Sequence, residues 1–129
     1  MKITTFDPVI ISSQYDDVVS LFKELGFETT HNPTAKPNGV PMQVTRMKHK
    51  EGFHIDIIDN SSIPRDISTI RMNVDDFDTA HDILIANGFT ELYPDAPHDS
   101  PTHIGREMIS PTGLTITLMQ HIRKNIDEM

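Results

Sequence analysis

The chain repeats itself. Leu25-Gly26-Phe27 recurs as Asn87-Gly88-Phe89 at an offset of 62. At that offset Ile10 meets Met72, Tyr15 meets Phe77, Asp16 meets Asp78, Val18 meets Ala80 and Phe22 meets Leu84. Further on, Gly52-Phe53-His54-Ile55-Asp56 meets Gly113-Leu114-Thr115-Ile116-Thr117 at an offset of 61. A drift by one position across a loop is what a duplicated module shows, and a fixed period has to be read before secondary structure. With 129 residues in all, the duplication uses nearly the whole chain.

Each half reads the same way. Residues 3–11 are rich in β-branched types and form a strand, and Ser12 or Ser13 caps a helix with apolar residues at 15, 18, 19, 22 and 25. Gly26 ends that helix, where a residue without a Cβ turns left-handed at little cost. A strand from Phe27, a loop over 32–41 with three prolines, and strands over 44–49 and 53–59 complete the half. In the second half, 69–74 alternates polar and apolar, Asp75 or Asp76 caps a helix carrying Phe77, Ala80 and Leu84, and Gly88 closes it. A strand reaching Tyr93 leads to a proline-rich loop over 94–101. Strands over 103–109 and 114–120 follow, joined by Ser110-Pro111-Thr112-Gly113. The pattern predicts βαβββ twice: module 1 over about 1–60, a polar linker over 60–66, module 2 over 67–121, and a short tail. Together they make a single α+β domain.

Composition narrows the function. There is no cysteine, which excludes disulfides, thiolate metal sites and thiol nucleophiles. The net charge of −8 argues against nucleic acid, whose affinity rests on cations against phosphate. The aliphatic runs are too short to span a membrane, and Asp7 and Pro8 interrupt any signal-peptide core, so a cytoplasmic location is expected.

The duplicated plan resembles the vicinal oxygen chelate superfamily, the group of glyoxalase I, bleomycin resistance proteins and extradiol dioxygenases. The resemblance is carried by Phe22-Lys23-Glu24-Leu25-Gly26-Phe27, by Val74-Asp75-Asp76-Phe77-Asp78 with Asn87-Gly88-Phe89, and by Ser110-Pro111-Thr112-Gly113-Leu114-Thr115-Ile116. The last is similar to that group's Asp-Pro-Asp-Gly turn, with Ser and Thr in place of the acids. It covers essentially the entire chain. It implies curved mixed sheets around a cavity, helices outside, and a homodimer whose cavities are assembled from paired modules.

Metal-dependent members of the superfamily place a His or Gln early on the first strand of a module and a Glu midway along its last. Those positions here fall on Asp7 and Thr69, and on Asp56 and Thr117. Two acids and two hydroxyls do not make the imidazole–carboxylate set that zinc, nickel or iron favours, although Asp7 and Asp56 suit a hard cation better. No metal and no other cofactor is therefore expected.

Seven histidines invite a metal reading. His31, His49, His98 and His121 fall in or near loops, turns and the tail, and His81 lies on a helix. His54 is different: it stands two residues before Asp56, so both share a strand face. Phe53, Ile55 and Ile57 are assigned to the helix side, which sends His54 and Asp56 into the cavity, where an imidazole beside a carboxylate can move protons. Thr69, Arg71, Thr115, Thr117 and Met119 line the corresponding faces of module 2, and Arg71 can clamp an anion or neutralise Asp56 or Asp7. Arg106, with Met108, is a further candidate, paralleled by Thr45 and Met47; the period leaves the inward face of that strand open. The two proline-rich loops are expected at the cavity mouth.

Three functions follow. The first is metal-independent binding of a small organic molecule in the cavity of a homodimer. The second is a lyase- or isomerase-type enzyme with His54 as acid–base and Arg71 holding an anionic substrate. The third is a scaffold with no ligand.

Overall fold

The computed structural model describes residues 1–32, 34–35, 42–95 and 99–122. These form two compact units, one of residues 7–68 and the other of residues 1–6 with those from 69 onward. The expected loop over 32–41, the middle of the loop over 94–101 with His98, and the tail beyond 122 lie wholly or largely outside the described residues.

β1 (Ile3–Ser12), which enters the first unit at Asp7, is followed there by α1 (Tyr15–Glu24), β2 (Phe27–His31), β3 (Thr34–Ala35), β4 (Met42–His49) and β5 (His54–Asp59). The strand order is β2-β4-β5-β1, with the two-residue β3 paired to β4. β1 and β5 run parallel, Val9 opposite Asp56 and Ile10 opposite Ile57, and the other pairs are antiparallel. The second unit repeats this with β6 (Ile67–Val74), α2 (Phe77–Ala86), β7 (Thr90–Glu91), β8 (His103–Ile109) and β9 (Thr115–His121), in the order β6-β9-β8-β7. Here β6 and β9 are the parallel pair, Met72 opposite Leu118. Each unit is thus a mixed sheet with one helix, an α+β arrangement. No helix among the described residues is long and apolar enough to cross a membrane.

Alternation along the strands decides what each helix covers. Met47, Ile55 and Ile57 are buried and meet Ile10, Tyr15, Val18, Val19, Phe22 and Phe27. Phe22 and Phe27 pack edge to face at 5.4 Å, an arrangement worth about 1 kcal/mol beyond its area. In the second unit Met72, Val74, Phe77, Ala80, Leu84, Met108, Ile116 and Leu118 form one cluster. α2 buries three residues fully, whereas α1 buries none. Leu25, assigned by spacing to the core, is instead largely exposed, because the helix ends at Glu24 and leaves it in the turn. Phe53 also leaves its expected place beneath the helix: it precedes β5, is 62% exposed, and its ring lies 6.1 Å from that of His49.

The helix ends differ in a similar way. Asp76 caps α2, accepting from the Thr79 amide at 3.1 Å and its hydroxyl at 2.7 Å, which holds its carboxyl below the usual range. Neither Ser12 nor Ser13 caps α1; Gln14 holds the cap position without a side-chain bond. Ser12 accepts from the Gln14 amide and donates to Asp66, tying the strand end to the linker. Asp75, the other expected cap, accepts from the Lys2 amide at 2.6 Å while its own amide donates to the Lys2 carbonyl at 3.0 Å. The strand after α2 stops at Glu91, short of Tyr93.

Candidate functional site

Once the helix covers one face of a sheet, polar side chains collect on the other. In the first unit that face carries Asp7, Val9 and Asp56, with Arg46 opposite Asp56 and Lys48 opposite His54 on β4. Asp7 and Asp56 are each 4% exposed. The Arg46 guanidinium lies 3.8 Å from Asp56. His54 shares the face, as the alternation requires, but it is exposed at the strand's start and its imidazole makes no hydrogen bond among the described residues. Thr45 and Met47 fall on the helix side. Thr45 is buried there against the Tyr15 hydroxyl and donates to Asn32.

In the second unit the helix-free face carries Thr69, Arg71 and Asn73 on β6, and Thr115, Thr117 and Met119 on β9. Thr69 and Thr117, placed from opposite ends of the module, do meet: their hydroxyl oxygens are 3.4 Å apart. Between them stands a residue the sequence analysis passed over. Glu107 on β8 lies opposite Thr117 and accepts from Thr69 at 3.2 Å and Thr117 at 2.7 Å.

Glu107 occupies this face because Arg106 does not. Arg106 sits opposite Leu118, on the helix side, which corrects its assignment to the cavity. There its guanidinium lies 5.7 Å from the Phe77 ring centre, pairs with Glu91 at 3.1 Å and donates to Asp99 at 2.5 Å. His81 stacks on Phe77 and lies 3.5 Å from Glu91, completing a surface network around the start of α2. Ile104 and Met108 flank Arg106 at alternate positions, and both join the core. That pattern was the available signal: two apolar residues two apart from an arginine fix its face.

The network sets a pH dependence. The Arg106 hydrogen bond holds the Asp99 carboxyl below the usual range. A lowered carboxyl contributes stability at neutral pH and loses it as pH falls through its folded-state value. Arg106→Met is therefore expected to flatten the acid limb of a stability–pH curve below about pH 4, the ordinary carboxylate range. Urea midpoints at a series of pH values check this; parallel curves for both proteins would refute it.

The positions where metal-dependent members of the superfamily carry ligands hold two aspartates in one unit and two threonines in the other. Among the described residues no three His, Cys, Asp or Glu side chains gather closely enough to hold a metal ion. The donor set does not fit a transition metal. Two surface hollows of the first unit lie elsewhere, one at the start of α1 beside Asp59 and one around Gly26 and His49.

No family model and no curated protein matches the chain. Solved structures do. A glyoxalase/bleomycin resistance protein/dioxygenase superfamily member from Vibrio splendidus is 14% identical, with a TM-score of 0.62 over 92% of this chain and 99% of that one. A methylmalonyl-CoA epimerase variant from Streptomyces coelicolor, in complex with 2-nitronate-propionyl-CoA, is 16% identical, with a TM-score of 0.62 over 92% and 98%. A glyoxalase I variant from Zea mays is 13% identical, with a TM-score of 0.67 over 92% of this chain and 43% of that one. At such identities the likeness speaks for architecture and not for chemistry. With two βαβββ units in tandem and these neighbours, the chain has the vicinal oxygen chelate fold.

Proposed function

We propose that this chain binds a small organic molecule without a metal, on the helix-free faces of its sheets, and works as a homodimer. The observation that carries this reading is the meeting of Thr69 and Thr117 around Glu107. Two of the four positions that would hold a metal, Thr69 and Thr117, are committed to hydroxyl–carboxylate hydrogen bonds. The complex of the Streptomyces coelicolor epimerase with an acyl-CoA analogue supports small-molecule binding as a use of this fold. The enzymatic alternative needs His54 held by a carboxylate, as an oriented acid–base requires. Its exposed, unbonded imidazole does not favour that reading.

Metal analysis of protein purified without chelator is the direct test. Far less than one transition-metal ion per chain is expected, with no change of melting temperature on adding EDTA. About one ion per chain, lost to EDTA together with stability, would overturn the proposal. Sedimentation equilibrium should give twice the mass of one chain, and a monomer at micromolar concentration would remove the dimer from it.

A further inference from the structure

A threonine hydroxyl has a single proton to give. Thr69 and Thr117 both direct theirs at Glu107, one to each carboxylate oxygen. What this trio presents outward is lone pairs and a negative charge. Among the described residues the Glu107 carboxylate makes no ion pair; Arg71, on the same face of β6, already has a partner of its own. Asn73, two residues further along that face and 5% exposed, buries its side-chain oxygen without a donor. On this face the Asn73 oxygen therefore still calls for a donor.

The repeat sharpens the point. Arg46 and Asp56 occupy in the first unit the register that Glu107 and Thr117 occupy in the second, at the same offset that relates Gly52 to Gly113. In the first unit the cation is built in. In the second the carboxylate is held by two hydroxyls and is half-buried.

We infer that Glu107 takes the ammonium or guanidinium end of a small organic ligand, with Thr69 and Thr117 fixing its carboxylate; this rests on the binding function proposed above. A divalent metal ion suits the site poorly, since one carboxylate and two hydroxyls supply few of the six or more oxygens such an ion takes. A planar guanidinium matches a carboxylate with two parallel hydrogen bonds, stronger than neutral ones.

The test uses the full chain labelled with ¹⁵N and four probes of one size: benzamidine, benzylamine, benzyl alcohol and benzoate. Benzamidine and benzylamine are expected to shift the amides of β8 and β9 saturably. Glu107→Gln keeps the side chain's size, since its carboxamide can still accept from one threonine and donate to the other. It is expected to weaken both cations at least tenfold and to leave benzyl alcohol unchanged. Glu91→Gln, on the helix side, should leave the cation affinities within twofold. Equal cation affinity in Glu107→Gln and the parent would overturn the assignment. If benzoate or benzyl alcohol shifts these amides and the cations do not, the binding face stands and the role of Glu107 falls. If none of the four does, both fall.

Discussion

Leu118→Ala is expected to cost about 3 kcal/mol of stability, in the middle of the range for emptying a buried leucine site. Leu118 is 0% exposed and sits on β9 between Met72 of β6 and Arg106 of β8, in the cluster under α2. Neighbouring strands on both sides hold the walls apart, so the space cannot close. At this chain length each kcal/mol moves the melting temperature by roughly 3–5 °C, giving a fall of about 10 °C. Leu114→Ala, at a 51% exposed position four residues away, is the control and should change stability by less than about 0.5 kcal/mol. Equal losses at the two sites would mean that the cluster does not hold the second unit together.

Gly26→Ala is expected to destabilise by about 2 kcal/mol, more than Gly52→Ala, although both glycines have a φ near +100°. The backbone term is shared. What differs is the surroundings: a Cβ on Gly26 would stand 2.9 Å from His49 Nε2, whereas one on Gly52 meets nothing within 4 Å. His49 cannot swing away freely. Its ring packs against Phe27 and Phe53, and its Nδ1 accepts from the Glu51 amide. A double-mutant cycle with His49→Ala separates the two contributions, and a coupling of about 1 kcal/mol is expected for residues in contact. Additive losses, with Gly26→Ala no worse than Gly52→Ala, would refute the steric part.

Much of this fold was legible because two periods coincide, the alternation along strands and the recurrence of the whole βαβββ module. The caps at Asp76 and the glycine stops at Gly26 and Gly88 follow from local chemistry. What was not legible depended on neighbours outside the local window. Ser12 accepts from the Gln14 amide rather than from an amide of the first helical turn, and its proton goes to Asp66 of the linker. Leu25 fits the helical spacing, but the turn at Gly26 leaves it outside the packed face. Arg106 was a candidate because alternation left the inward face of its strand open, and its guanidinium satisfies Phe77, Glu91 and Asp99 on the helix side. Glu107 was missed for the same reason, since the two residues exchange faces together. Thr69 and Thr117 were placed by counting from turns, and their hydroxyls do converge.

The two bonds between Lys2 and Asp75 have a consequence for the order in which the chain can fold. Residues 1–6 are made before residues 7–68, yet they cluster with the unit made after them. The loop they close spans 73 residues, and the entropy of closing it must be met before the contact returns anything. The rest of the first unit is compact within residues 7–68 and can assemble early. The opening segment must wait, an unpaired strand end in the interval, until residue 75 has emerged. A cut through the linker would thus leave each fragment missing part of a folded unit, although the sequence repeat divides there.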